Sequence, residues 1–182
     1  PVRGRECSSQ QCPQILQRFP TYEQFADADL SAIYTPEKLA SALHLQANWM
    51  YSTVLLQNAD GTFSGKALPN QTQVSPINGI VVLDVNGDGH QDVVCAGNNW
   101  GAEVETVRYD AGIGTVLLGD GKGGFLPVPT NRSGFLAWGN VKDLALIQHG
   151  PDKRPTILVA NNNDALQGFE LRATNATSRA AP

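Results

Sequence analysis

Two spacings of apolar residues divide the chain. Between residues 12 and 46 they recur at helical intervals, at Ile15, Leu16, Phe19, Tyr22, Phe25, Ala26, Leu30 and Ile33. A face repeating every three or four positions is what an amphipathic helix shows. "TPEKLASAL" adds a helix start, with Thr35 as N-cap, Pro36 at the first helical position and Glu37 in the first turn. Two or three short helices are expected here, within an N-terminal helical segment at 1–46. From Asn48 onward the pattern turns to short runs of β-branched and aliphatic residues broken by Gly, Asn and Asp, the signature of strands joined by tight turns. Strand–turn–strand units are expected in "MYSTVLLQNADGTFSGKALP", "NGIVVLDVNGDGHQDVVCAG", "GTVLLGDGKGGFLPVP" and "VKDLALIQHGPDKRPTILVANNND", with a further strand at "LQGFEL". These fill residues 47–172, and the polar stretch 173–182 reads as a frayed tail.

The β pattern repeats. "TVLLQNADGTF" (53–63) and "TVLLGDGKGGF" (115–125) align nearly residue for residue, 62 positions apart. Each has an apolar strand, an Asp-Gly turn and a returning phenylalanine. An acidic hairpin lies between them and a weaker analogue, 141–164, follows. Two hairpins make a four-stranded unit, the blade of a β-propeller. The expected fold is mainly β: a partial β-propeller of about two blades plus part of a third, built from four-stranded antiparallel units, behind a short helical segment. Two blades do not close a ring. With no initiator methionine and no apolar core in "PVRGRECSSQ", a fragment or processed form is expected.

The acidic hairpin carries the clearest chemistry. In "VVLDVNGDGHQDVVCAG" (81–97), Asp84, Asn86, Asp88 and Asp92 occupy loop positions 1, 3, 5 and 9. His90 at position 7 has a backbone carbonyl to offer, and Gly87 and Gly89 permit the bend. Carboxylates this close repel one another. Oxygen donors at this spacing suit Ca²⁺, which takes 6–8 oxygens, better than the smaller, strictly octahedral Mg²⁺. The alternative is a solvated polar turn, since Asp-Gly turns are common. An EF-hand or dockerin-like interaction module fits through position 9. It then requires an acidic residue at position 12, where this chain has Cys95, and helical flanks, where it has β-branched residues.

"DVNGDGHQDVV" followed by "VLLGDGKGGF" resembles the FG-GAP/VCBS repeat of integrin-α-type β-propellers. The stretch 75–129, with "ILVANNND" later, resembles the C-terminal part of ASPIC/UnbV-type VCBS-repeat proteins. The resemblance implies a calcium-binding module whose ligands are Asp84, Asn86, Asp88 and Asp92. It also implies an extracytoplasmic setting, secreted or attached to the cell envelope, and neighbouring blades of a longer parent chain. Asn86 stands where such repeats more often have Asp, which lowers the charge of the site. The hairpin 141–164 has "QHGPDKRP" in place of an acidic loop, so no ion is expected there.

Composition narrows the function classes. A net charge of −4 gives no basic footprint for nucleic acid, and no apolar run reaches the ~20 residues of a membrane helix. Of the three cysteines, Cys7 and Cys12 are spaced to close a short loop, and Cys95, in a valine-rich run, reads as a small buried hydrophobe. The loop 98–112 gathers Trp100, Glu103, Glu105, Arg108, Tyr109 and Asp110, a candidate contact for a protein or glycan ligand; the alternative is an ordered connection in which Arg108 pairs with a carboxylate. Asp60 and Asp120 read as turn formers. No nucleophile elbow, paired-histidine site or phosphate loop is present, so adhesion or ligand binding with structural Ca²⁺ is expected rather than catalysis. The alternative is a fragment of a polysaccharide-active propeller enzyme.

Overall fold

The computed structural model describes residues 3–104 and 106–172. The chain divides into two compact units, Pro1–Trp49 and Met50–Pro182.

The first unit is a set of one- to two-turn helices, α1 (Arg5–Gln11), α2 (Gln14–Arg18), α3 (Tyr22–Ala26), α4 (Leu30–Tyr34) and α5 (Pro36–Ser41). This is more helices, and shorter ones, than the spacing predicts, and α1 lies ahead of the predicted start. The segmentation has local causes. Thr21 and Gln24 form a reciprocal capping box at the start of α3, and the Asp29 carboxylate accepts from the Ala32 N–H to start α4. Thr35 does cap α5, but at φ 63° and without a side-chain hydrogen bond into the helix. With a new axis every few residues, the 3.6-residue periodicity does not run through. Ile15, Phe25 and Ile33 form the small core while Leu16, Tyr22 and Leu30 stay exposed. Phe19 meets Phe25 edge to face, centroids 5.8 Å apart. Arg5 ties the turn together by donating to the carbonyls of Phe19 and Pro20. Cys7 and Cys12 are both free thiols.

Among the described residues, the second unit holds three antiparallel sheets. The hairpin β1 (Thr53–Gln57) and β2 (Phe63–Ala67) stands as a two-stranded sheet. Strands β3 (Gly79–Leu83), β4 (Asp92–Ala96), β5 (Thr115–Gly119) and β6 (Phe125–Val128) form a four-stranded meander in sequence order. The third sheet has three strands, β7 (Val141–His149), β8 (Arg154–Asn161) and β9 (Gln167–Glu170). A short helix, α6 (Thr130–Ser133), leads out of β6 and ends on Gly134 in the left-handed conformation. All the predicted strand–turn–strand units are present. The protein is thus mainly β with a few short helices.

The core lies between the second and third sheets. Val81, Val94, Ala96 and Val116 from one face of β3–β6 meet Val141, Leu144, Ile157 and Val159, with Phe135 and Ala137 filling in from the connecting segment. Gly79 sets how closely the sheets approach. A Cβ there would lie 2.4 Å from the backbone nitrogen of Leu144, so any side chain would force β3 away from β7. Cys95 is buried as expected, and loss of solvent pushes its thiol up to about 11, out of the reactive range. Among the described residues no helix is long and apolar enough to cross a membrane.

Candidate metal centre

The acidic loop joins β3 to β4, so strands flank it on both sides. Pairing of Leu83 with Asp92 closes its base. Gly87 and Gly89 take φ of 79° and 86°, which side chains with a Cβ resist. The loop winds around the carboxylate of Asp84. Its Oδ1 accepts from the N–H groups of Asn86 (3.3 Å), Gly87 (2.6 Å) and Asp88 (3.2 Å), and its Oδ2 accepts from Gly89 at 2.8 Å. These bonds, that from Gly89 foremost, hold the Asp84 carboxyl below the usual carboxylate range.

The next two donors continue the winding. The Asn86 side-chain oxygen accepts from the Asp88 N–H, and Asp88 accepts from the His90 N–H and the Asn86 amide. The His90 N–H bond and the Asn86 amide lower the Asp88 carboxyl as well. The His90 ring is exposed and packs at Gly121, in the neighbouring β5–β6 turn.

Asp92 differs from the other acidic residues. It is 0% exposed. Its Oδ2 accepts from the Val85 N–H at 2.9 Å and its Oδ1 from the Gly119 N–H at 2.8 Å. It therefore fastens the acidic loop to the end of β5. Two neutral donors only partly offset the cost of removing a carboxylate from water. Among the described residues, no Lys or Arg forms an ion pair with Asp84, Asp88 or Asp92. No three His, Cys, Asp or Glu side chains converge as a ready ligand set there either. The donor chemistry still suits a hard cation: three carboxylates and an amide oxygen lie on one short loop, and although Asp84 Oδ1 is taken up by three N–H groups, Asp84 Oδ2 and the carboxylate oxygens of Asp88 and Asp92 each accept one hydrogen bond and keep a lone pair.

The second group of candidate residues has a different character. Asn99 and Tyr109 exchange backbone hydrogen bonds of 2.8 and 3.0 Å, which close the 98–112 loop into a narrow-necked projection. Arg108 lies over the Trp100 ring, 4.8 Å from its centroid, and pairs with Asp110 at 3.3 Å. The loop thus holds itself together, with Arg108 engaged on both sides. Glu103 is exposed, and its carbonyl accepts from Thr106. Glu105 lies outside the described residues.

Sequence reasoning overlooked Asn98, which is 0% exposed and holds the base of that loop. Its Nδ2 contacts the carbonyls of Gly112, Trp138 and Gly139, and its Oδ1 accepts from the Gly112 N–H. Asn78 complements it, donating to the carbonyls of Asn98 and Val141. The signal was slight: a Gly-Asn pair directly after a buried strand, where the chain must turn without losing its backbone partners.

Comparison with family models, curated proteins and solved structures finds no match to this chain.

Proposed function

We propose that the chain is a calcium-binding β-sheet repeat module of the FG-GAP/VCBS kind, part of a β-propeller, and that it acts in adhesion or ligand binding rather than in catalysis. One observation carries the calcium assignment. A fully buried carboxylate, Asp92, shares a short loop with two more carboxylates, and among the described residues no Lys or Arg forms an ion pair with any of them. Ca²⁺ supplies the missing positive charge. The side-chain oxygens of Asp84, Asn86, Asp88 and Asp92 and the carbonyl of His90 would hold it. Its contribution is structural, adding binding free energy to folding and stiffening the β3–β4 connection.

The propeller assignment is supported by the order of the sheets, with a complete four-stranded meander between a two-stranded and a three-stranded sheet. Asn86 in place of a third early carboxylate suits a weak site working where calcium is plentiful, as outside cells. That supports an extracytoplasmic setting.

Asp88→Ala is the informative test. Asp92 also holds two backbone N–H groups, so its loss destabilises the fold with or without an ion, whereas Asp88 bonds only within its own loop. In millimolar calcium the parent chain gains several degrees in Tm over its value in chelator, and Asp88→Ala loses that gain. Equal Tm loss in calcium and in chelator, or no heat of binding on calcium titration, overturns the assignment.

A further inference from the structure

Hairpins β1–β2 and β5–β6 pair in the same register, Gln57 with Phe63 and Gly119 with Phe125, each across a five-residue turn. They differ at the other edge. The edge of β5 away from β6 is taken by β4, through Val93–Leu117 and Val94–Val116, and its last N–H, on Gly119, donates to Asp92. The matching edge of β1 has no strand: among the described residues β1 pairs with β2 alone. Ser52 and Asn58 bond toward β2, and backbone direction alternates along a strand, so Leu55 and Gln57 present their N–H and C=O groups to the open side.

A second deficit matches the first. Ile80, Val82, Val93, Cys95 and Leu117 share one face of the four-stranded sheet, by the pairings Ile80–Cys95, Val82–Val93 and Val93–Leu117. Leu117 is 0% and Cys95 3% exposed, yet Ile80 is 58% and Val82 54% exposed. The cover comes from the β1–β2 side: Leu56 abuts Gly123 of the β5–β6 turn, and Gln71, Thr72 and Ser75 line a small cavity opposite Cys95 and Thr115. It extends across β5 and β4 and stops before β3.

We infer that the open edge of β1 and the bare face of β3 together receive one β-hairpin, added to β1 as β4 and β3 are added to β5. The occupant is an extended segment of the β3–β4 kind, two aliphatic strands with an acidic residue where Asp92 stands, placed to accept the Gln57 N–H. Three arguments select it. The bare face continues directly from the covered one. The register is the one β4 already uses on β5. Pairing with a second copy along a single five-residue edge falls short of the ~1,200 Å² of a stable interface and leaves Ile80 and Val82 bare. Residues 17–34, which stand 62 positions before β3–β4, form helices α2–α4, so the described chain does not supply these strands itself. The inference rests on the β-propeller part of the proposed function, which it deepens, and does not depend on the calcium assignment.

The probe is a synthetic peptide spanning residues 77–97, added to the full chain in chelator. Amide exchange is read at Leu55 and Gln57, and methyl shifts at Ile80 and Val82. Peptide binding slows exchange at both amides at least tenfold and moves both methyl groups. Leu55→Pro abolishes both effects while the β1–β2 cross-strand contacts persist, because the N–H it removes faces outward. Unchanged exchange at saturating peptide overturns the inference, as does protection of the edge without movement of the methyls. Protection that grows with protein concentration alone, without peptide, assigns the edge to a second copy instead. Because chelator is present throughout, failure here is distinct from failure of calcium binding.

Discussion

The chain carries nearly the same hairpin twice, and the two copies have opposite fates. In "TVLLGDGKGGF" the strand β5 is the interior of a four-stranded sheet, and its central Leu117 is completely buried. In "TVLLQNADGTF" the equivalent Leu55 is 66% exposed on a two-stranded sheet whose second strand is exposed throughout. The turns behave alike. Asp120 accepts from the N–H groups of Lys122 and Gly124, and Asp60 accepts from the N–H and hydroxyl of Thr62. Local chemistry therefore makes the hairpin, and the neighbouring strands decide what its side chains contribute to stability. A hairpin alone is marginal in water, whereas one built into three or more strands is not.

Substitutions at equivalent positions sharpen this contrast. Leu117→Ala is expected to cost about 2–5 kcal/mol, the range for emptying a fully buried leucine site, read as a lowered midpoint in denaturant at unchanged slope. A cost below about 1 kcal/mol would mean that β5 is no better packed than β1. Asp92→Ala is expected to cost about 2–3 kcal/mol even in chelator, because the Val85 and Gly119 N–H groups lose their acceptor in a buried place. Among the described residues the β1–β2 hairpin has no counterpart to that tie, so amide exchange should rise at the end of β5 and stay unchanged at β1.

Acid separates the loops from the sheets. The carboxyls of Asp60, Asp84 and Asp120 are all held below the usual range, by the Thr62 hydroxyl for Asp60, the Gly89 N–H for Asp84 and the Lys122 N–H for Asp120. Their folded values lie below their unfolded ones. The stability they contribute is therefore present above the ordinary carboxylate pKa of about 3.9 and lost as pH falls through the lower folded values. Loop amides such as Gly87, Gly89 and Lys122 should exchange faster at pH 3 than at pH 5 once corrected for intrinsic rates, with β4 and β5 protected at both. Loss of protection in the sheets over the same interval would show that the turns and sheets open together. The smallest effect is expected at Leu55→Ala, within about 0.5 kcal/mol as for an exposed site; a cost near that of Leu117→Ala would show Leu55 to be covered in solution.

Much of the β region was legible because strands and tight turns are encoded by neighbours. Runs of β-branched and aliphatic residues mark the strands, and Asp-Gly or Asn-Gly pairs mark the β1–β2, β3–β4 and β5–β6 turns wherever those hairpins end up. The helical region was less legible. Caps at Thr21 and Asp29 cut it into helices too short to express a period, so Leu16, Tyr22 and Leu30, which fit one continuous apolar face, stand exposed. At the acidic loop, the positions of Asp84, Asn86, Asp88 and Asp92 were plain from spacing. That Asp92 alone is buried and bonded across to Gly119 was not, since the partner lies 27 residues away. For Trp100, Arg108 and Asp110 the choice between ligand contact and internal pairing rested on geometry, and the side chains engage one another.

By itself the sequence determined the elements of this protein: where chains turn, which runs extend, and which loop concentrates oxygen donors. Those follow from backbone preference and side-chain chemistry within a few residues. Tertiary structure alone decided which of two like hairpins lies in the sheet interior, which aspartate is withdrawn from water, that Asn98 replaces lost backbone partners, and that Gly79 must have no side chain. Each of these depends on what arrives from a distant part of the chain, and burial is a property of that encounter rather than of the residue.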